Sequence, residues 1–408
     1  MGQVWTPTTA DQALEAVREA LAGDVALELV GTGTRRGFGR PVEGGAVLDL
    51  SGLSGVVTYQ PEELILGVLP GTPMAEIDAL LAANGQELAF EPPDFGPLWG
   101  LAAGQGTLGG CVMTGRGGPR RLSAGGPRDH CLGVKGVNGF GEAFGAGGRV
   151  VKNVTGFDLT KLIAGSFGTL CAVTELTLKV MPASSDSLTL VLTGLDDARA
   201  VQVLSRALGS PASVTSAAHL PAAVAAGSGL GEIAGSGGAT LLRLEGFTPG
   251  VRARAKHLSG LLDGTAPIIE FDREASAVLW REVADAAYFA GGVDRVIWKL
   301  SVPPGAAAGL GRLADELGGR RFYDWGGGGL WLELPGARDA HAGRVRQALA
   351  DAVGDDGHAT LMRAPDAMRA AQGTFQPLAP AVAALTARVK QQFDPKGVLN
   401  PGRMYPGV

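Results

Sequence analysis

The sequence predicts an α+β protein in which a first unit of mixed strands and helices precedes a separate α/β domain. Two patterns predict this organisation. In Val151–Pro182, apolar residues at helical spacing give way to an alternating run, so a short helix leads into a strand. After Pro182, strand and helix patterns interleave, as in an open sheet covered by helices on one face. The 408 residues suffice for two hydrophobic cores.

Capping and turn residues set the limits of the helices in the first segment. Thr9 begins a helix that Gly23 ends. A second helix is predicted with Thr72 as its N-cap and Pro73 at its first position, ending at Gly85. Four short strands are expected at Val25–Val30, Val47–Leu50, Val56–Tyr59 and Leu64–Leu69.

The stretch Val151–Pro182 is the most informative part of the chain. It is predicted to hold a turn, a helix capped by Asp158, a loop, and a strand over Cys171–Val180. Gly165 ends the helix and Gly168 turns the chain. Glycine at both positions suggests backbone pressed against something flat or bulky.

The second segment covers residues 183–363, and residues 364–408 form a third that returns to the first segment, residues 1–182. The last helix of this third segment, Pro380–Phe393, begins with a proline, which is tolerated at the first position of a helix. The middle segment has predicted helices at Asp196–Leu208, Val251–Leu262, Ala275–Ala287, Ala306–Leu317 and Arg338–Val353. Its predicted strands are Leu188–Leu192, Leu241–Phe247, Arg295–Val302, Arg321–Tyr323 and Gly329–Leu334.

Composition excludes several classes of function. With 35 basic and 40 acidic residues, the net charge of -5 argues against nucleic-acid binding. No apolar run is long enough to span a membrane, and no secretory signal is present. Cys111, Cys131 and Cys171 are far apart, which is typical of a cytoplasmic protein. Three cysteines are also too few for a four-thiolate iron–sulfur cluster.

The sequence contains two glycine-rich loops, of which the first is predicted to bind a pyrophosphate. The first is Gly31-Thr32-Gly33-Thr34-Arg35, directly after a strand, where consecutive small residues let backbone N–H groups converge on an anion. The second extends from Gly106 to Gly115. The alternative for the first loop is a simple turn. The alternative for the second is a mobile surface loop, against which its apolar residues argue.

A second interpretation of the glycines is a Rossmann fingerprint. Gly104, Gly106 and Gly109 spell G-x-G-x-x-G, and Asp129 follows at about the right spacing. The prolines before this motif argue against a central strand, and no clear helix is expected after Gly109. We therefore disfavour the Rossmann interpretation.

These motifs resemble, in their order, the PCMH-type FAD-binding domain of the vanillyl-alcohol-oxidase superfamily. Val151–Pro182 and the tail Asp394–Gly402 carry the resemblance together with the two loops. Short segments such as Trp298–Pro303 narrow it to the FAD-binding subunits of glycolate oxidase. The implied fold is a two-subdomain FAD-binding domain with a separate α/β cap. The implied FAD contacts are Gly31, Thr32, Gly33, Thr34, Arg35, Pro70, Gly71, Gly106, Thr107, Gly109, Gly110, Thr114, Gly115, Gly165, Gly168, Val173 and Asn400.

The resemblance also implies how FAD is held. Superfamily members with covalent FAD often use a histidine in the first loop, and Gly31–Arg40 has none, so non-covalent binding is expected. Related dehydrogenases hold a metal with paired histidines. The five histidines here form no close pair, so no metal is expected.

Three residues of the cap are candidates for chemistry on a substrate. A guanidinium such as that of Arg363 can hold a carboxylate in a bidentate pair, and His358 can accept a proton near neutral pH. Lys299 is the third candidate. The alternative is that His358 is a hydrogen-bonded turn residue and Arg363 a surface or inter-domain ion.

The resemblance implies oxidation of glycolate, a small 2-hydroxy acid, to glyoxylate by hydride transfer to flavin. It also implies a paralogous FAD subunit and an iron–sulfur subunit as partners, through which the chain would reach a membrane peripherally. Two alternatives remain open: a free-standing FAD oxidase of another hydroxy acid, and a non-catalytic FAD-binding assembly or electron-relay subunit.

Overall fold

The computed structural model describes residues 2–42, 44–148, 156–292 and 294–408. Its first part contains ten strands and six helices within those residues. Strands β1 to β10 are Gln3–Trp5, Leu27–Val30, Ala46–Asp49, Val56–Gln60, Ile65–Val68, Gln86–Glu87, Cys131–Asn138, Ala143–Gly147, Cys171–Lys179 and Met181–Pro182. Helices α1 to α6 are Ala10–Ala22, Met74–Ala82, Leu108–Thr114, Arg121–Ala124, Pro127–His130 and Leu159–Ile163.

Two sheets organise this part. β1, β3 and β2 form a parallel sheet in that order, and β4, β5, β9, β7 and β8 form an antiparallel one. β6 and β10 make a separate antiparallel pair. Helix α1 buries Ala13 and Val17 beside Leu27 and Leu48, in one core with Ala172 of β9. A shared core therefore joins the two sheets.

The second part is built on one antiparallel sheet of eight strands. The strand order is β14-β11-β13-β12-β16-β17-β15-β18. Strands β11 to β18 are Asp186–Thr193, Ser216–Pro221, Gly238–Gly246, Ile268–Phe271, Val296–Ser301, Arg320–Asp324, Gly329–Leu334 and His358–Arg363. Helices α7 to α13 are Asp197–Leu208, Ala222–Ala225, Gly231–Ala234, Thr248–Leu261, Arg273–Asp285, Pro304–Glu316 and Ala342–Val353.

Helices cover both faces of this sheet, so the prediction of helices on one face is wrong. Leu190 of β11 packs with Leu204 of α7 on one face. Neighbouring side chains of a strand point to opposite faces, and Thr189 accordingly meets α11. The side chains of Ser276 and Trp280 each donate a hydrogen bond to the Thr189 hydroxyl at 2.8 Å. The α11 face is the one that turns toward the first part.

Aromatic residues fill the space between the two parts. Phe38, Phe95 and Phe167 of the first part share a buried cluster with Ile297 and Trp331 of the large sheet. The rings of Phe95 and Trp331 lie 5.9 Å apart. This contact fixes the sheet beside the loops that carry the glycine motifs.

The C-terminal segment contains two helices, α14 at Asp366–Gln372 and α15 at Pro380–Phe393, and then a tail. The tail lies beside β2 in parallel. The Leu27 N–H donates to the Val398 carbonyl at 2.7 Å, and the Asn400 N–H donates to the Leu27 carbonyl at 2.9 Å. The boundaries drawn from sequence for three segments stay a prediction.

Most predicted elements of the first part occur, with one exception at the start of α2. The α+β fold class is confirmed, as is the capping of α6 by Asp158. Thr72 does not cap α2, because its hydroxyl donates to the Leu69 carbonyl and accepts from the Gly55 N–H. Pro73 takes the N-cap position instead. The turn predicted at the start of Val151–Pro182 lies outside the described residues. Within the described chain, no helix has the length and apolar character needed to cross a bilayer.

Candidate functional site

A cleft of about 750 Å³, part of it open to solvent, lies between the two glycine-rich loops. Thirteen of the positions assigned from sequence line it. They are Gly31, Thr32, Gly33, Thr34, Arg35, Pro70, Thr107, Gly109, Gly110, Thr114, Gly168, Val173 and Asn400. Segments more than 350 residues apart in the chain therefore meet at one cavity.

The first loop offers unused backbone donors to the cleft. Among the described residues, the N–H groups of Thr32, Gly33, Thr34 and Arg35 have no hydrogen-bond acceptor. Gly33 has a φ of +80°, which favours glycine. The Arg35 guanidinium lies across the cleft wall and donates to the Thr114 hydroxyl at 3.1 Å. A row of free N–H groups beside a cation is a suitable site for a diphosphate.

The second loop is a helix, contrary to the expectation that none opens near Gly109. It is α3, and the Gly109 N–H donates to the Pro70 carbonyl at 2.8 Å. The Gly110 N–H donates to the Thr107 hydroxyl at 3.3 Å. These donors are already used, so this loop contributes a flat wall rather than a row of free N–H groups. Among the described residues, no strand lies between β6 and α3, which excludes a Rossmann unit.

Four positions assigned to FAD lie outside the lining: Gly71, Gly106, Gly115 and Gly165. Close packing against neighbouring backbone explains why glycine is needed at two of these positions. A Cβ on Gly71 would stand 2.5 Å from the Leu50 carbonyl oxygen, and one on Gly115 would stand 3.0 Å from the Gly165 Cα. These glycines let neighbouring segments approach each other.

The floor of the cleft joins the tail to the loop after α6. The Asn400 amide donates to the Phe167 carbonyl at 2.6 Å and accepts from the Leu29 N–H at 2.8 Å. A Cβ on Gly168 would lie 2.7 Å from the Asn400 amide nitrogen, and its φ is +71°. Gly168 therefore makes room for the tail as well as for the cleft.

Sequence reasoning missed eight lining residues, which are Leu29, Val30, Arg36, Leu50, Met113, Phe167, Cys171 and Arg403. Arg403 directly follows the Asn-Pro-Gly motif, so that motif could have identified it. Its guanidinium donates to the carbonyls of Arg35, Arg36 and Arg40, so it braces the first loop. No sequence motif identifies Phe167, because it contributes to the cleft by packing and by a backbone φ of +56°.

The three cap candidates do not come together. His358 and Arg363 lie at opposite ends of strand β18 rather than on one loop, roughly 16 Å apart at the usual rise per residue. His358 is exposed, and Arg363 is buried. Lys299 lies in β15, paired across the strands with Thr360, which is two residues from His358. Lys299 and His358 therefore share one face of the sheet.

Arg363 is held by the protein itself. Its guanidinium donates to the carbonyls of Leu98 and Phe289, each at 2.9 Å, and to that of Arg295 at 3.0 Å. Burial lowers the pKa of Arg363, and the nearby Glu333 opposes that shift. This arrangement matches the alternative interpretation, an inter-domain cation, and gives the carboxylate role no support.

Lys299 has a different environment. Its Nζ lies 3.7 Å from the ring centre of Trp325 and 4.5 Å from that of Trp331. Burial lowers the pKa of Lys299, Asp324 opposes the shift, and the positive charges of Arg116 and Arg121 reinforce it. The described chain contains no cluster of metal-ligating side chains.

Comparisons with known proteins agree with this geometry. The FAD binding domain family matches residues 2–147. The chain is 32% identical over 392 residues to the glycolate oxidase subunit GlcE of Escherichia coli K12, covering 96% of each protein. It is 34% identical to subunit GlcD of Bacillus subtilis over 151 residues, 37% of this chain and 30% of GlcD. The structure of p-cresol methylhydroxylase shares the fold, with a TM-score of 0.74 at 15% identity over 98% of this chain and 88% of that one.

The relative that matches nearly the whole chain, together with the family match, sets the class, which is that of FAD-linked oxidoreductases. Within it, the chain belongs to the family of the glycolate oxidase subunit GlcE. FAD is the cofactor. The residues fit it: the free N–H groups of the first loop suit a diphosphate, and Gly110 leaves space in the wall, since a Cβ there would meet only ordinary contacts.

Proposed function

We propose that this chain is the FAD-binding subunit of a complex that oxidises glycolate to glyoxylate. The observation that carries the proposal is the similarity to a glycolate oxidase subunit along 96% of both chains. When bound in the cleft, FAD would accept the hydride that leaves the alcohol carbon. The hydroxyl proton must pass to a base, and His358 is the side chain that we propose for that role.

The cleft supports the cofactor assignments made from sequence. Within this proposal, the free N–H groups of the first loop hold the FAD diphosphate and Arg35 adds positive charge. Gly109 and Gly110 of helix α3, and the Gly168 turn, supply parts of the wall that have no side chain. Asn400 ties the C-terminal tail to the floor. No covalent link to FAD is expected.

The proposed partners are a paralogous FAD subunit and an iron–sulfur subunit. Two differently named subunits of glycolate oxidase, GlcE and GlcD, both match this chain, which supports two related flavoproteins in one complex. Electrons must leave the flavin, and three cysteines cannot form a four-thiolate cluster in this chain. The proposal places the complex in the cytoplasm, with any membrane contact made through partners. No observation favours a free-standing oxidase or a non-catalytic relay.

Affinity purification of the tagged chain from its host tests the proposal. A second flavoprotein and an iron–sulfur protein should co-purify, and glycolate should bleach the flavin absorbance of the complex without oxygen. A parallel preparation with the tag on an unrelated cytoplasmic protein controls for chance capture. A lone chain that oxidises glycolate at full rate would contradict the partners, and a complex that glycolate does not reduce would contradict the substrate.

A further inference from the structure

Two cations near the cleft form no ion pair among the described residues. Arg116 follows α3, and its Nε is buried without a hydrogen bond. The Arg116 guanidinium instead lies 4.9 Å from the ring centre of Phe38. Lys299 is only 6% exposed and lies on the rings of Trp325 and Trp331. Within the described residues, neither side chain forms a hydrogen bond or ion pair.

The other buried cations around the cleft have partners. Arg403 and Arg363 donate to backbone carbonyls, and Lys390 pairs with Asp394 at 2.7 Å. Arg35 donates to the Thr114 hydroxyl and to a carbonyl. Burying a charge without a partner is costly. Arg116 therefore stands out as a cation without a counter-ion, and on Lys299 the charge of Asp324 acts without forming an ion pair among the described residues.

Arg116 and Lys299 come from different parts of the molecule and lie near each other. Arg116 belongs to the first part, and Lys299 lies on the face of the large sheet that packs against it. The charge of Arg116 acts on Lys299, which lowers the Lys299 pKa in addition to burial. Trp325 holds the parts together here, because its indole N–H donates to the Gly118 carbonyl at 3.1 Å.

Aromatic rings connect both cations to the cleft. Phe38, below Arg116, meets Phe167 at 5.0 Å between ring centres, and Phe167 lines the cleft. Trp331, below Lys299, meets Phe95, and the Arg35 guanidinium lies 5.6 Å from the ring centre of Phe95. Aromatic side chains therefore separate the two cations from the free N–H groups of the first loop, which suit a diphosphate.

We propose that Arg116 and Lys299 together bind the carboxylate of the 2-hydroxy acid substrate at the junction of the two parts. This inference rests on the proposed function and adds the residues that select an anionic substrate. A guanidinium suits a carboxylate because it donates two parallel hydrogen bonds, and a desolvated ammonium adds a second charge. The assignment replaces Arg363, whose guanidinium is already held by three backbone carbonyls.

Calorimetric titration of the full flavin-loaded chain with oxalate tests the assignment, with ethylene glycol as the uncharged comparison. Arg116→Gln and Lys299→Met should each raise the dissociation constant for oxalate about tenfold to a hundredfold, at unchanged FAD content. Arg116→Lys should recover part of the affinity. Arg128→Gln, which removes the same charge from an exposed helix position, should behave like the parent.

Parent-like affinity for oxalate in both variants would overturn the assignment. So would loss of FAD from Arg116→Gln at unchanged oxalate affinity, because the guanidinium would then serve the diphosphate. Calorimetry measures oxalate binding and not turnover, so the anion site can be tested separately from the proposed oxidation of glycolate. A complex that binds oxalate through these residues but whose flavin is not reduced by glycolate would contradict the proposed function and support the anion site.

Discussion

The side-chain amide of Asn400 links the C-terminal tail to the floor of the FAD cleft through the carbonyl of Phe167, at 2.6 Å. The same side chain accepts the Leu29 N–H, and Asn400 is 3% exposed. Two distant segments, β2 and the loop after α6, therefore depend on one residue near the end of the chain. The tail is part of the cofactor site and not merely a terminus.

Asn400→Ala should destabilise both the fold and the holo form. Two buried backbone groups would lose their partners, which costs about 2–4 kcal/mol in the free energy of unfolding. Urea unfolding with and without added FAD measures the loss, and FAD affinity should fall in parallel. Asn84→Ala is the control, since Asn84 is exposed and makes one local hydrogen bond. Equal stability of both variants would show that the tail is not anchored by Asn400.

Gly110→Val should lose FAD while the protein stays folded. A Cβ at Gly110 meets only the Thr107 hydroxyl at 3.4 Å and the Arg35 side chain at 3.7 Å, so the added methyls enter the cleft. Flavin absorbance per protein, together with circular dichroism, checks this result. Gly250→Val makes the same change in α10, where a Cβ has no neighbour within 4 Å, and should keep its flavin.

Gly33 and Gly109 give less direct tests of the same cleft. Gly33→Val should also lose FAD, but the φ of +80° adds backbone strain. A Cβ on Gly109 would stand 2.7 Å from the Pro70 carbonyl oxygen, so Gly109→Val should fail to fold stably. Full flavin occupancy in the folded Gly110→Val protein would contradict the position given to the second loop.

The sequence predicted the elements whose signals are local. Caps such as Asp158 and turns such as Gly168 are set by neighbouring residues, and they occur as expected. Strand β18, His358–Arg363, was missed because all of its residues after His358 are buried by partners across the sheet, so the strand has no alternating pattern of its own. Thr72 failed as a cap because its hydroxyl is taken by the Leu69 carbonyl in the preceding turn and by the N–H of Gly55, which is more distant in sequence.

In the candidate site, too, the sequence shows local features but not contacts between distant segments. Glycines that line the cleft and glycines that allow close packing, such as Gly115, look alike in sequence, and only the fold separates them. Arg116 carried no signal because its significance is the absence of a partner within the described structure. The sequence also does not show that three carbonyls from separate segments hold Arg363.

Arg363→Ala should act on stability before it acts on substrate binding. Three backbone carbonyls would lose a charged donor, and the buried Glu333 would lose a nearby cation, for a cost on the order of 3–5 kcal/mol. Thermal or urea unfolding measures this loss. Arg344→Ala is a matched control, because its ion pair with Glu316 is exposed and worth about 0–1 kcal/mol. A stable Arg363→Ala protein with weakened oxalate binding would restore Arg363 as the carboxylate residue.

FAD should be released completely by acid precipitation. The first loop, Gly31–Arg40, has no histidine, and the cysteine nearest the cofactor, Cys171, is buried with its pKa raised to about 12, so it stays a protonated thiol. All yellow colour should therefore appear in the supernatant, with free FAD identified by its mass. A flavoprotein with covalent flavin, treated in parallel, shows the colour that a pellet retains. Flavin left on the precipitated chain would contradict non-covalent binding.

Carboxylate binding should weaken as the pH rises above neutrality. Burial lowers the pKa of Lys299 to about 7, Arg116 and Arg121 add to the shift, and Asp324 opposes it. Below that pH the ammonium is charged and can attract an anion, and above it the neutral amine cannot. The dissociation constant for oxalate should thus rise by up to about tenfold per pH unit above 7, until the pKa of the complex is reached.

Lys299→Met separates this effect from other titrations. Methionine keeps an apolar side chain of similar length over Trp331 but has no proton to lose. The variant should therefore bind oxalate more weakly, with a dissociation constant that is nearly constant between pH 7 and 9, roughly the range in which the parent changes. Calorimetry at several pH values, corrected for buffer ionisation, also counts the proton taken up on binding. The parent should take up about one proton near pH 8 and Lys299→Met should take up none. Identical pH profiles for the two proteins would assign the titration to another group and remove Lys299 from the anion site.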